Sequence, residues 1–346
     1  MIVGEVLRYF RPMQAILAVT LPFFALVLLG YLAAQREILP EEAIPGLNVY
    51  VLFFALPCML FGFGSSLPFG RLIDPLLIGI YSVCALLMIA VTVAVTWQRG
   101  GQRHGVTLKD AAFGALVAAF PNAGFLGVPL LVALLGDKAA GPVIGAILVD
   151  LILTSTLCLA LAQASAHRAG SSASERSAFA AAALSLRGAL TNPLPWAIVI
   201  GALFAAFDQK LPGPIAQIVR MLADSATPVA LFTIGSVLSR AGRHAHTRTP
   251  VARYLPVALL KLVLHPALVF GLGSIAIALG APVSPFGLMV RTLVAALPSA
   301  SNVSVLAERY GADNGRVTRI IMASTVLAFA SFSALAWVFG VGRAGT

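Results

Sequence analysis

Apolar residues run along the chain in long blocks, separated by short polar segments. Ten blocks come close to the ~20 residues that an α-helix needs to cross a bilayer. They lie at about residues 14–34, 43–64, 74–97, 109–135, 140–166, 191–208, 214–239, 253–280, 286–308 and 316–341. Little chain remains outside them, so the pattern predicts an all-α integral membrane protein with ten transmembrane helices and no sizeable soluble domain. Two blocks are interrupted. The fourth contains "FPNAGFLGVP" (120–129), with Pro121, Asn122, Gly124, Gly127 and Pro129 inside an otherwise apolar run. The ninth contains "LPSASN" (297–302), with Pro298, Ser299, Ser301 and Asn302.

The interruptions belong to a repeat. An offset of 171 residues sets "LPFFALVLLG" (21–30) on "NPLPWAIVIG" (192–201), matching Pro22 with Pro193 and Gly30 with Gly201. It also sets "PCMLFGFG" (57–64) on "PVALFTIG" (228–235), matching Pro57 with Pro228 and Gly64 with Gly235. An offset of 177 sets "AAFPNAG" (118–124) on "AALPSAS" (295–301). Two five-span halves, 1–166 and 191–346, follow, joined by 167–190, which reads as a cytoplasmic linker with a short interfacial helix. An odd number of spans per half inserts the second half upside down. Inverted repeats with interrupted, corresponding helices mark secondary transporters.

Composition agrees with a bilayer as solvent: 59% of the 346 residues are hydrophobic and 10% are charged. The net charge of +10 does not point to nucleic acid, because its distribution follows the loops. One set of alternate loops holds most of the Lys and Arg, among them Arg99, Arg103, Arg168, Arg176, Arg240, Arg243 and Arg316. The other set, termini included, holds only Arg8, Arg11, Arg71, Lys138, Lys210 and Arg343. The positive-inside bias then places both termini outside the cytoplasm. The first block is too long for a signal-peptide core and has a repeat partner, so it is read as a span. Cys58, Cys84 and Cys158 all fall within spans and imply no disulfide framework.

Pro121 removes a backbone donor and clashes with the preceding turn, and after Pro298 the Ser and Asn side chains compete for backbone hydrogen bonds. Backbone freed at membrane depth is tolerated only when buried in protein or lining a wet cavity. A proline kink that shapes packing accounts for either break alone. Two breaks at matching positions, flanked by Asn122 and Asn302, favour a binding site in which two half-helix N-termini face an anion.

The segments "PNAGFLGVPLL", "LPSASNVSVLAERYG" and "FALPCMLFGFG", with the 5 + 5 layout, resemble the auxin efflux carrier family of membrane transporters over nearly the whole chain. The resemblance implies a fold shared with bile-acid-type sodium symporters, with a scaffold of spans 1, 2, 6 and 7. Spans 3–5 and 8–10 would form a transport domain, with spans 4 and 9 crossing at their prolines, and elevator-type alternating access is expected. It implies substrate contacts at Pro121, Asn122 and Pro298, a small carboxylate such as malonate or malate as cargo, and homodimerisation through the scaffold; Gly124, Ser299, Ser301 and Asn302 join the candidate substrate site from the reading of the breaks themselves. Ser299 stands where plant carriers have asparagine, and their long cytoplasmic loop is absent, which suits a bacterial anion carrier better than an auxin carrier.

Ionisable residues inside spans are costly and are functional candidates by default. Asp150, mid-span, suits a coupling proton or sodium ion, or a structural ion pair. Lys261 and His265, four apart on one helical face, suit charge compensation or proton movement; alternatively, Lys261 snorkels towards the cytoplasm and His265 simply hydrogen-bonds. Arg291 suits an outer entrance for anions, or packing against Asp224 or headgroups. "HAH" (244–246) lies among arginines, which disfavours a metal there; "NVS" (302–304) sits at membrane depth, out of reach of glycosylation; "GPVIG" (141–145) reads as a packing motif. No Walker loop, zinc-ligand cluster or serine-nucleophile motif is present, so the sequence calls for no enzyme activity and no cofactor. Two rivals to a plain anion carrier stand beside it: a sodium-coupled organic-acid symporter, and a membrane sensor that binds small acids without transporting them.

Overall fold

The computed structural model describes residues 2–66, 74–97, 106–167, 193–243 and 249–341, with backbone alone at 2–12 and 165–167. The interfacial helix expected in 167–190 and the "HAH" segment lie outside the described side chains. Twelve helices occur among the described residues. They are α1 (Ile2–Gln35), α2 (Ala43–Ser66), α3 (Pro75–Thr96), α4 (Leu108–Ala119), α5 (Ala123–Leu135) and α6 (Asp137–Ala164). The second half continues with α7 (Pro193–Ala206), α8 (Gly213–Arg243), α9 (Val251–Ala278), α10 (Pro285–Ala295), α11 (Val303–Arg309) and α12 (Asn314–Val338). Seven of them are long and apolar enough to cross a membrane, and α5, α7 and α10 are shorter apolar helices.

Local chemistry sets the ends. Asp74 caps α3, accepting from the Leu76 and Leu77 amides at 3.1 Å, with Pro75 at the first helical position. Thr107, Ser284 and Asp313 cap α4, α10 and α12 in the same way. Within the apolar helices, hydroxyls turn back to the carbonyl four residues earlier, as Thr233 does on Val229 and Thr292 on Leu288. Helices α2, α6 and α9 each contain one wide π turn, at Val51–Ala55, Asp150–Thr154 and Leu260–Leu264.

Helix α1 packs along α8, and α2 along α7. Both crossings rest on glycine. A Cβ on Gly30 would collide with the Phe232 carbonyl, and one on Gly235 with the Val27 carbonyl. At the other crossing, a Cβ on Gly64 would lie 2.6 Å from the Ile198 carbonyl, and one on Gly201 would collide with that of Phe61. Each crossing therefore takes one glycine from each of the two pairs matched by the sequence repeat. Close backbone approach through small residues is how helices associate where lipid removes the hydrophobic drive. The remaining helices pack among themselves: α3 on α4, α4 on α6, α9 on α10 and α12, and α3 on α9. The two groups touch where α1 meets α12 and where α8 meets the first turn of α5.

Candidate functional site

The two interruptions meet at one point. Pro121 lies opposite Ser299 in an antiparallel bridge. The Asn122 amide donates to Pro298 O at 2.8 Å, and the Ala300 amide donates to Phe120 O at 3.0 Å. The Ser299 amide donates to Ser324 Oγ on α12 at 3.2 Å. Much of the backbone freed by the prolines is thus satisfied by the other break or by α12, which is what permits irregular chain at bilayer depth.

What stays open is narrower than the sequence suggests. The amides of Gly124, Phe125, Ser301 and Asn302 donate to no protein acceptor among the described residues. Ser299 Oγ and Asn302 Oδ1 are buried without a partner. Asn122 is 4% exposed, and its side chain does not cap α5; its carbonyl instead accepts from both Leu126 and Gly127, opening α5 with a wide turn. Gly124 is half-buried, yet a Cβ there would meet nothing within 4 Å, so open space adjoins the free amides at the start of α5. One turn along α11 from Asn302, a cavity of about 240 Å³ lies between α2, α8, α11 and the start of α12, with Asn48, Arg240, Ser304, Glu308 and Asn314 in its wall.

A second polar constellation gathers the four charged candidates around a residue that sequence reasoning missed. Tyr81 on α3 is fully buried and donates to Asp150 Oδ2 at 3.3 Å. Thr154 donates to Asp150 Oδ1 at 3.2 Å. The Tyr81 ring lies 5.6 Å from that of His265 and 5.8 Å from the Arg291 guanidinium carbon. Lys261 Nζ donates to Ala295 O at 2.7 Å and meets His265 Nδ1 at 3.1 Å. Arg291 donates to Leu77 O at 2.9 Å, and its guanidinium occupies the space that the absent side chain of Gly145 leaves. Asp150 and Lys261 both sit in π turns, the irregularity that often accompanies function in helices.

Three details depart from the sequence expectations. Lys261 is 0% exposed and does not snorkel. Arg291 is 1% exposed and lines no entrance, because Gly145 and Leu77 draw it inward. Among the described residues no Lys or Arg nitrogen lies within 4.0 Å of the Asp150 carboxylate, so Asp150 is held by hydroxyls rather than by a direct ion pair. The signal for Tyr81 was a lone phenol in the middle of an otherwise apolar span, whose hydroxyl needs a buried partner.

A broken-helix crossing beside a closed polar cluster is the furniture of a carrier, and comparison with known proteins agrees. The family described as "Membrane transport protein" matches residues 15–338. The chain belongs to this family. A Rhizobium meliloti protein named "Putative malonate transporter" is 29% identical over 332 residues, covering 95% of this chain and 98% of that one. "Uncharacterized transporter YfdV" of Escherichia coli is 26% identical over 326 residues, covering 92% and 95%. "Auxin efflux carrier component 8" of Arabidopsis thaliana is 25% identical over 293 residues, covering 73% and 79%. Members of this family are multi-pass transporters, not enzymes. A bilayer and a small-molecule cargo follow from membership.

Proposed function

We propose that the chain is a secondary transporter of small organic carboxylates, malonate or a similar short dicarboxylate, working by elevator-type alternating access in the bacterial inner membrane. Ten spans form two inverted halves, 1–166 and 191–346, with both termini outside. Spans 4 and 9 are the pairs α4/α5 and α10/α11. The group α1, α2, α7 and α8 is the scaffold, and the other helices are the transport domain that slides against it.

The observation that carries this reading is the meeting of the two breaks, which leaves amides of both half-helices unpartnered close to Asn122 and Asn302, with open space beside Gly124. Such donors suit a carboxylate, and the start of α5 adds positive potential. Pro121 and Pro298 keep the two breaks open, while Ser299 and Ser301 supply hydroxyls. The name of the Rhizobium relative supports malonate, and the glycine pairs shared between the two scaffold crossings support the repeat. The buried cluster of Asp150, Lys261, His265 and Arg291 stands beside this site as its charge-compensating or proton-coupling part.

The test is a thermal-shift screen of small acids on the purified protein, since a ligand that binds the folded state raises its apparent stability, followed by flux of labelled malonate in proteoliposomes. A shift with malonate and measurable flux are expected. Binding without flux would make the chain a sensor, and neither would end the carboxylate reading. Single cysteines at Ser172 and Thr346 should label from opposite sides of the membrane; labelling from one side would remove the ten-span layout.

A further inference from the structure

Helices α1, α8 and α12 pack on one another and leave a groove of about 400 Å³ between them. Helix α1 lines it with Phe24, Leu28 and Tyr31, α8 with Leu238, and α12 with Met322 and Val326. The rings of Phe24 and Phe329 meet edge to face at 5.3 Å at one end. The walls are apolar, since the Thr325 hydroxyl turns back to the Ile321 carbonyl. The phenol of Tyr31 stands at the other end, where an amphipathic ring suits the edge of a bilayer. Leu28 is 56% exposed and Val326 is 75% exposed, so the groove opens sideways, on the surface that a multi-pass protein turns to lipid.

Its length is informative. The lining of α1 runs from Phe24 to Tyr31, about 10 Å at 1.5 Å per residue. Half of a hydrocarbon core is about 15 Å deep. The groove thus matches an acyl chain of one leaflet and is too short for a further span. Past the Tyr31 end the surface turns basic. A Cβ on Gly242 would lie 3.8 Å from Met322 Sδ, which marks where α8 and α12 draw together. Arg243 follows Gly242, and Arg319 stands one turn before Met322. Arg243 donates to Ala34 O at 2.6 Å, at the end of α1, and Arg319 donates to Thr249 O at 2.7 Å. Glu37 lies 3.6 Å from Arg243. Arg36, exposed just after α1, has no carboxylate within 4.0 Å among the described residues. Three guanidinium groups against one carboxylate leave this end positive, and basic pockets between membrane helices suit anionic headgroups.

We infer that the groove is a lipid seat, which takes one acyl chain of an anionic phospholipid with its phosphate at the Arg243 and Arg319 end. Any tail suits the apolar walls, so selectivity comes from the headgroup. Helices α1 and α8 lie in the proposed scaffold and α12 in the proposed transport domain, so the seated lipid spans the seam between them. That consequence rests on the proposed division of the helices; the seat itself does not.

Photo-cross-linking tests the seat. Benzoylphenylalanine is placed at Val326, on the rim of the groove, and in a separate protein at Val263 of α9, an exposed apolar position away from it. Each full chain is reconstituted in vesicles of equal parts phosphatidylglycerol and phosphatidylcholine, irradiated, and its adducts are identified by mass. At Val326 phosphatidylglycerol adducts should outnumber phosphatidylcholine adducts several-fold, whereas Val263 should report the equal mixture. Leu28→Trp, which fills the groove with an indole, should return the ratio at Val326 to that of the mixture. Equal adducts at Val326 without the Leu28 change overturn the inference, whether or not Leu28→Trp folds. So does enrichment that survives in folded Leu28→Trp, and so do adducts to another segment of this chain or to a second copy. No organic acid enters the assay, so its outcome is independent of whether the chain carries carboxylates.

Discussion

The crossing of the two broken helices and the Tyr81 cluster are both polar and buried in the protein, yet they solve that problem in opposite ways. At the crossing, backbone answers backbone: Asn122 N–H meets Pro298 O, and Ala300 N–H meets Phe120 O. Several amides and the space beside Gly124 are left over. In the cluster, side chains answer one another and nearby carbonyls, and the carboxylate of Asp150 is closed in by Tyr81 and Thr154. One region has free backbone amides with room beside Gly124; the other encloses its carboxylate and, among the described residues, leaves only ring and guanidinium nitrogens, His265 Nε2 and Arg291 Nε, without a partner. The crossing is therefore the proposed ligand site, and mutations in the two regions should be felt in different observables.

The largest effect expected is on stability, in the cluster. Asp150→Asn keeps the side-chain volume but removes the buried carboxylate nearest Lys261 and Tyr81, and uncompensated buried charge costs about 3 kcal/mol or more. The apparent melting temperature in detergent should fall accordingly. If the variant is as stable as the parent but loses pH-dependent flux, the residue serves coupling instead of balance.

Next comes Asn122→Ala at the crossing. Its backbone bond to Pro298 survives, so the melting temperature should hold. Loss of a hydrogen bond to a charged ligand is worth about 1.5–3 kcal/mol, or roughly ten- to a hundredfold weaker malonate binding, measurable by ligand titration. Asn302→Ala should lose less, because Ser299 and Ser301 lie nearby. Parent-like binding by Asn122→Ala would move the ligand away from the crossing and erase the contrast.

A smaller change is expected from Tyr81→Phe, which removes a single bond to Asp150 and should cost about 1.5 kcal/mol of stability with malonate affinity unchanged. Smaller again, and opposite in sign for stability, is Gly124→Ala. The added methyl meets no protein atom, and replacing glycine in a helical turn stabilises by about 0.4–1 kcal/mol. The same methyl intrudes on the space assigned to the ligand, so malonate should bind several-fold more weakly to a slightly more stable protein. Equal affinity would show that the open space is not the seat.

Much of this protein was legible in the chain itself. Helix positions follow from apolar run length, because a bilayer leaves a backbone few ways to satisfy its hydrogen bonds. Both breaks are visible at Pro121 and Pro298, since proline lacks the donor a helix requires. Gly30, Gly64, Gly201 and Gly235 stand out as matched pairs, but that each crossing would draw one member from each pair depends on which helices lie together. The four charged candidates could be named from their cost in lipid, whereas their gathering around Tyr81 could not. Contacts such as that between Arg291 and Leu77 join residues 214 apart in the chain, and no local pattern encodes such a distance. The same holds at the crossing. The sequence shows which backbone groups the prolines set free, but only the packing of α4, α10 and α12 decided which of those groups found partners and which were left facing open space.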